Sequence, residues 1–177
     1  TTMCFDQKEN AKDKAQREQA GDMIELLTPV VKAYCAQRGF DVCVQAVQVF
    51  GGYGYIKEFP VEQLVRDVKI ASIYEGTDGI QAMDFLGRKL GMKKGMVFKG
   101  LLDEMGKTIA DAKKFESLTS MAESLDRAAE TLGITAFGLG SAAMSEKYTT
   151  AFANAHPFLD ATGDVLMGCM HLLRALT

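Results

Sequence analysis

No apolar stretch of this 177-residue chain is long enough to cross a bilayer, because charged or polar side chains interrupt every run short of the roughly 18 to 20 residues that a spanning helix needs. The opening TTMCFDQKEN is too polar for a secretory signal. No charge run of one sign dominates either. The 20 Lys and Arg are interspersed with 23 Asp and Glu, giving a net charge of −3 and a pI near 5.4. That distribution leaves no electrostatic footprint for DNA or RNA, and no nucleic-acid partner is expected. Cys4, Cys35, Cys43 and Cys169 form no C-x-x-C pair, and the two histidines, His156 and His171, have no Cys, Asp or Glu at ligand spacing. Neither a metal site nor a disulfide framework is expected; the cysteines read as reduced packing residues of a cytoplasmic protein. The first residue is Thr, so the chain is expected to be a piece of a longer one.

What is present is ordinary globular material with a helical period. Hydrophobic residues make up 47% and charged residues 24%, which excludes disorder and fibrous repeats, and a chain of this length buries roughly 70% of its unfolded surface. Val97, Leu101, Met105, Ile109 and Ala112 form one apolar stripe. Leu118, Met121, Leu125, Ala129, Leu132, Ala136 and Leu139 form a second, and Tyr148, Phe152, Ala155, Leu159, Thr162, Leu166, Cys169 and Leu173 a third. Residues 91–177 thus predict three antiparallel helices, the last bent or split by Pro157 near His156. In the first half, Asp6 to Gln19 is a solvated charge run. Met23, Ile24, Leu27, Val31, Tyr34 and Cys35 give an inward face with a fresh start at Thr28-Pro29 and a stop at Gly39, followed by a second face of Phe40, Cys43, Val47 and Phe50. No segment alternates like a strand. The fold class expected is all-α: an up-and-down bundle over 1–90 followed by a three-helix extension over 91–177.

Two stretches depart from bundle sequence. In Gln48-Val49-Phe50-Gly51-Gly52-Tyr53-Gly54-Tyr55, three glycines follow a helix and leave backbone N–H groups uncovered. Such a turn is either a helix stop or a place where a phosphate or flat ring comes close; it is not the dinucleotide fingerprint, since no strand precedes it. In Ile73-Tyr74-Glu75-Gly76-Thr77-Asp78-Gly79-Ile80-Gln81, Glu75 stands just ahead of a helix with N-cap candidates Thr77 and Asp78 and an inner face of Ile80, Met83, Leu86 and Leu90. Glu75 is either a surface carboxylate favoured by the helix dipole or a poised base.

In this order and spacing, Q-V-F-G-G-Y-G-Y, F-P-V-E-Q-L-V-R-D and I-Y-E-G-T-D-G-I-Q closely resemble the C-terminal helical domain of the flavin-dependent acyl-CoA dehydrogenases, from about Met23 to Leu90. Residues 91–177 resemble the helical extension of the larger bacterial members. The resemblance implies that Glu75 is the base that removes the α-proton of an acyl-CoA thioester, with FAD taking a hydride from the β-carbon. It further implies that Tyr74 and Gly76 lie beside the thioester, that Thr77 contacts the flavin, and that Gln48, Gly51 and Gly52 meet the FAD of a neighbouring subunit. Arg66 and Asp67 match a structural pair. Gly79 stands where other members carry a polar side chain, so a cofactor contact there comes from backbone. Family members place a helical domain and a β-barrel ahead of this segment; the chain resembles the C-terminal part alone and is expected to be inactive by itself. An electron-transfer flavoprotein as acceptor and a homo-oligomer, dimer or tetramer, follow from the same resemblance. The competing expectation is a non-catalytic helical module for assembly.

Overall fold

The computed structural model describes all residues from Thr1 to Thr177. Helices hold 85% of them and no strand is present, which fixes the class as all-α. The order is α1 (Thr2–Asn10), α2 (Lys14–Phe50), α3 (Gly52–Tyr55), α4 (Val61–Lys69), a 3₁₀ turn (Ile70–Ser72), α5 (Asp78–Asp84) running on into a π turn (Phe85–Lys89), a second 3₁₀ turn (Met92–Gly95), α6 (Met96–Ala112), α7 (Glu116–Ala143), α8 (Tyr148–Ala153) and α9 (Ala155–Ala175). The charge run splits at Ala11–Asp13: α1 buries nothing, and Asp13 caps α2 by accepting from the Ala15 amide at 3.0 Å.

The long helix α2 corrects the expectation of a restart at Thr28-Pro29 and a stop at Gly39. Its 37 residues make a rod of about 55 Å at 1.5 Å per residue. Thr28 does not cap; its hydroxyl donates to the Ile24 carbonyl at 2.7 Å inside the helix. Pro29 is fully buried, so the packing of its ring offsets the one hydrogen bond it deletes. Gly39 is a packing glycine: Val68 of α4 comes within 3.3 Å of where a Cβ would stand. A sequence reading sees a glycine and infers an end, whereas here the missing side chain admits a neighbour.

Around α2, one apolar core of 20 buried residues runs from Leu26 and Val30 through Phe85 and Phe98 to Leu132, Phe158 and Leu159. Phe85 is stacked on Phe158 with centroids 5.7 Å apart and meets Phe98 edge-on at 6.3 Å. A satellite of Ile109, Ala112, Ala122 and Leu172 closes the far end of α6, α7 and α9. The α6 stripe is buried throughout, as its four-residue steps predict. Several expected core positions are exposed: Val31 and Phe50 on α2, Met121 on α7, Tyr148 on α8 and Leu173 on α9, and Ala122 takes the inward place next to Met121. The expected inner face of α5 also shifts. Ile80 and Met83 are 54% and 50% exposed, with Ala82 and Phe85 buried in their place, while Leu86 and Leu90 are buried as expected. The π turn inserts extra backbone between Asp84 and Leu90 and rotates the face. The break before α9 falls at Asn154, leaving Pro157 in the first turn of α9, where a missing N–H costs nothing. The four cysteines are free, and Cys35, read as a packing residue, is exposed. No helix is long and apolar enough to cross a membrane.

Candidate functional site

The Glu75 turn is built from both sides. Upstream, α4 tightens into a 3₁₀ turn whose end is closed by the Ile73 and Tyr74 amides donating to the Ile70 carbonyl at 2.9 and 3.0 Å. Downstream, Thr77 caps α5 as its sequence position predicts, its hydroxyl oxygen accepting from the Ile80 amide at 3.4 Å. Between them the chain turns through two left-handed residues, Glu75 at φ 54° and Gly76 at φ 89°. Gly76 suits its positive φ, and a Cβ there would also push on the end of the Gln81 side chain, whose Nε2 would stand 2.9 Å away. Glu75 is not glycine, and a left-handed conformation at such a residue stores on the order of 1–3 kcal/mol. Strain of this kind persists only where the surroundings impose it.

Three groups do so. Gln81 Nε2 donates to the Glu75 carbonyl at 3.3 Å, Lys32 Nζ on α2 donates to the Gly76 carbonyl, and the same ammonium lies 3.6 Å from Asp78 Oδ1. Neither Lys32 nor Gln81 stands out in the sequence as part of a site. The one available signal for Lys32 is that it is the only charge in the apolar text Leu26–Ala36. With its backbone so fixed, the Glu75 side chain is exposed and its carboxylate has no ion-pair or hydrogen-bond partner in the chain. Ile73 and Tyr74 beside it are exposed as well, so the apolar surroundings of a desolvated base are not supplied by these residues alone.

The glycine turn follows the C-terminal end of α2. Gly51 ends the helix at φ 61°, ψ −142°, its amide donating to the Gln48 carbonyl at 3.1 Å. Gly54 is demanded by packing, because a Cβ would meet the Val47 carbonyl oxygen at 2.6 Å; Gly52 has a free side and nothing within 4 Å. No contact inside the chain explains why Gly52 lacks a side chain, and Gln48 beside it is exposed. The open backbone suits a flat or anionic group arriving from outside. Gly79, on α5, likewise faces open space, its nearest neighbour being the Thr77 hydroxyl at 3.9 Å.

These two clusters do not meet. Lys32, which touches the Glu75 turn, and Gly51 are 19 residues apart on one helix, a separation of about 28 Å. Two grooves along α7 and α9, of about 600 and 360 Å³, are lined by none of the expected site residues.

Comparison with known proteins decides the family. Residues 9–90 match the acyl-CoA dehydrogenase C-terminal domain, and residues 101–177 match the acetyl-CoA dehydrogenase C-terminal-like domain. The chain belongs to the acyl-CoA dehydrogenase family. It is 35% identical over 162 residues to the 3-methylmercaptopropionyl-CoA dehydrogenase of Ruegeria pomeroyi, a match covering 90% of this chain and 27% of that protein. It is 43% identical over 109 residues to a butyryl-CoA dehydrogenase of Syntrophomonas wolfei subsp. wolfei, covering 62% of this chain and 18% of the relative. A shorter match, 44% over 61 residues, joins it to the caffeyl-CoA reductase-Etf complex subunit CarC of Acetobacterium woodii, covering 34% of this chain and 16% of that one. The chain therefore spans about a quarter or less of the length of these acyl-CoA dehydrogenase relatives.

Proposed function

We propose that the chain is the C-terminal portion of an FAD-dependent acyl-CoA dehydrogenase, with residues 1–90 forming the site-bearing part of the helical domain and 91–177 an extension packed on it. The observation that carries this reading is Glu75: an exposed, unpaired carboxylate on a turn held left-handed at two successive residues, in a chain of this family. A surface glutamate needs no such strain. A base that must reach one C–H of a bound substrate needs a fixed origin.

In the proposed reaction the Glu75 carboxylate accepts the α-proton of an acyl-CoA thioester, and the product is the trans-2-enoyl-CoA. Bound FAD supplies the acceptor for the hydride leaving the β-carbon. Tyr74 and Gly76 flank the thioester, and Thr77 with the Gly79 backbone faces the flavin. Gln48, Gly51 and Gly52 hold the FAD of another subunit, an assignment supported by the open side of Gly52 and by the distance from the Glu75 turn, which one chain does not bridge. This sharing requires a homo-oligomer. The Etf complex to which one relative belongs supports an electron-transfer flavoprotein as the partner that reoxidises the cofactor.

The test uses the complete protein that carries this segment. Glu75→Gln keeps size and removes the proton acceptor, and anaerobic flavin bleaching by a panel of acyl-CoAs is expected to slow about 10²- to 10⁴-fold with flavin content unchanged. Bleaching at the wild-type rate removes Glu75 from the role, and a colourless complete protein favours the assembly module instead.

A further inference from the structure

The geometry points to Lys32 as a positioning residue for the Glu75 turn, acting through the Gly76 carbonyl; this rests on the reading of Glu75 as the base. Lys32 lies in the middle of α2 among the buried residues Pro29, Val30, Ala33 and Ala36. A lysine so placed ordinarily extends its stem along the surface and leaves its ammonium in water. Here the side chain is 19% exposed and the ammonium is spent on two groups of one loop, the Gly76 carbonyl and the Asp78 carboxylate, whose own side chain is 16% exposed.

The two contacts divide the work. Asp78 Oδ1 is buried and has no hydrogen-bond partner, so the ammonium at 3.6 Å is the charge that lets that carboxylate stay buried, and the carboxylate does the same for the lysine. The bond to Gly76 fixes the loop. Every other hydrogen bond of residues 73–79 is made within the 3₁₀ turn, the loop or α5; only Lys32 ties the turn to a different helix, 44 residues away in sequence. Without it, no hydrogen bond ties the left-handed pair Glu75-Gly76 to α2, and the pair is located only through the packing of its flanks. Glu75 then keeps its chemistry and loses its fixed origin. The predicted defect is in the proton-transfer step and not in affinity, because Lys32 reaches the loop from the α2 side through backbone and makes no contact with the Glu75 carboxylate.

The experiment compares Lys32→Met, the milder Lys32→Gln, Glu75→Gln and the Lys32→Met/Glu75→Gln double variant in the complete holoprotein, using the acyl-CoA that bleaches the wild-type flavin fastest. Flavin content, apparent substrate Kd and the limiting rate of anaerobic flavin reduction are measured for each. Lys32→Met is expected to lower the limiting rate about 10- to 100-fold, the cost of misplacing a reacting group by about an ångström, and Lys32→Gln less, with flavin content and Kd within about twofold of wild type. In the Glu75→Gln background, Lys32→Met is expected to cost nothing more, since both changes remove the same function. If Lys32→Met does not accumulate as folded holoprotein, Lys32→Gln decides by the same criterion. A limiting rate unchanged in the variant that holds flavin, or a loss that follows flavin content, overturns the inference while leaving Glu75 as the base. A wild-type rate in Glu75→Gln overturns both.

Discussion

Tyr34 covers Gly163 so closely that a Cβ built on that glycine would stand 2.2 Å from the ring. The contact joins α2 to α9, and the phenol is fixed there by donating to Asp164 Oδ1 at 2.7 Å, with Arg38 on the same carboxylate at 3.1 Å. Burial, and then the Asp164 bond, push the Tyr34 hydroxyl above its ordinary pKa. Gly163→Ala must displace the ring and break this arrangement; overpacking of this kind costs about 1–3 kcal/mol, to be read as a lower urea midpoint with an unchanged slope. Nothing in the sequence pairs residue 163 with residue 34, because the demand comes from the crossing of two helices and not from either helix alone. The Glu75 motif was legible for the opposite reason. Its turn is local, so the carboxylate, the left-handed glycine and the cap stand side by side in I-Y-E-G-T, whereas Lys32, which donates to the Gly76 carbonyl, is far away in the chain.

At the scale of helices, the stripe of α6 was readable because each of its residues turns one way for the whole length, while the face of α5 was misread through the π turn at Phe85–Lys89. A periodicity argument assumes a constant twist, and one inserted residue defeats it. That turn is held to α2 by ion pairs: Lys89, almost fully buried, donates to Glu25 at 2.8 Å, and Lys93 just beyond pairs with Glu18 and Asp22. The Lys89 hydrogen bond, then its charge, lowers the Glu25 carboxyl from its ordinary 4.5, and Lys93 does the same to Glu18. A carboxylate whose folded-state pKa is depressed adds stability above its unfolded pKa and loses it as pH falls through the lower, folded value. Thermal midpoints measured in steps downward from neutral pH are therefore expected to fall once the pH passes below about 4.5. The Glu18→Gln/Glu25→Gln variant is expected to fall less steeply over that interval. An identical slope in the variant assigns the acid sensitivity to other carboxylates. Phe85, at the start of the same turn and wholly buried, is the natural core probe: Phe85→Ala is expected to cost about 3–5 kcal/mol in denaturant titrations.

Over the whole molecule, the apolar surface is unevenly covered. The core is complete between α2, α5, α6, α7 and α9, yet Val49 is 84%, Phe137 80% and Met144 90% exposed, joined by Tyr55 near the glycine turn and by Ile73, Tyr74, Ile80 and Met83 around Glu75. Single exposed apolar residues are ordinary, but apolar clusters flanking both proposed site elements mark surfaces made to be covered. The same residues explain why these faces were hard to assign from sequence: a helix that buries one side in its own core and another against a further layer shows apolar residues all round and a blurred period. Ligand capture depends on enclosure, with most of a bound molecule's surface removed from water, and here Lys32 at the Glu75 turn and Gly51 at the glycine turn stand about 28 Å apart along α2, with no residue of either turn lining the two grooves along α7 and α9. Residues 1–177 produced alone are thus expected to self-associate on gel filtration and to elute without flavin after incubation with FAD, while the complete protein elutes with one flavin per chain. Stoichiometric FAD on the isolated segment, eluting as a monomer, means that this chain encloses the cofactor by itself, and the shared-site reading of Gln48, Gly51 and Gly52 then falls.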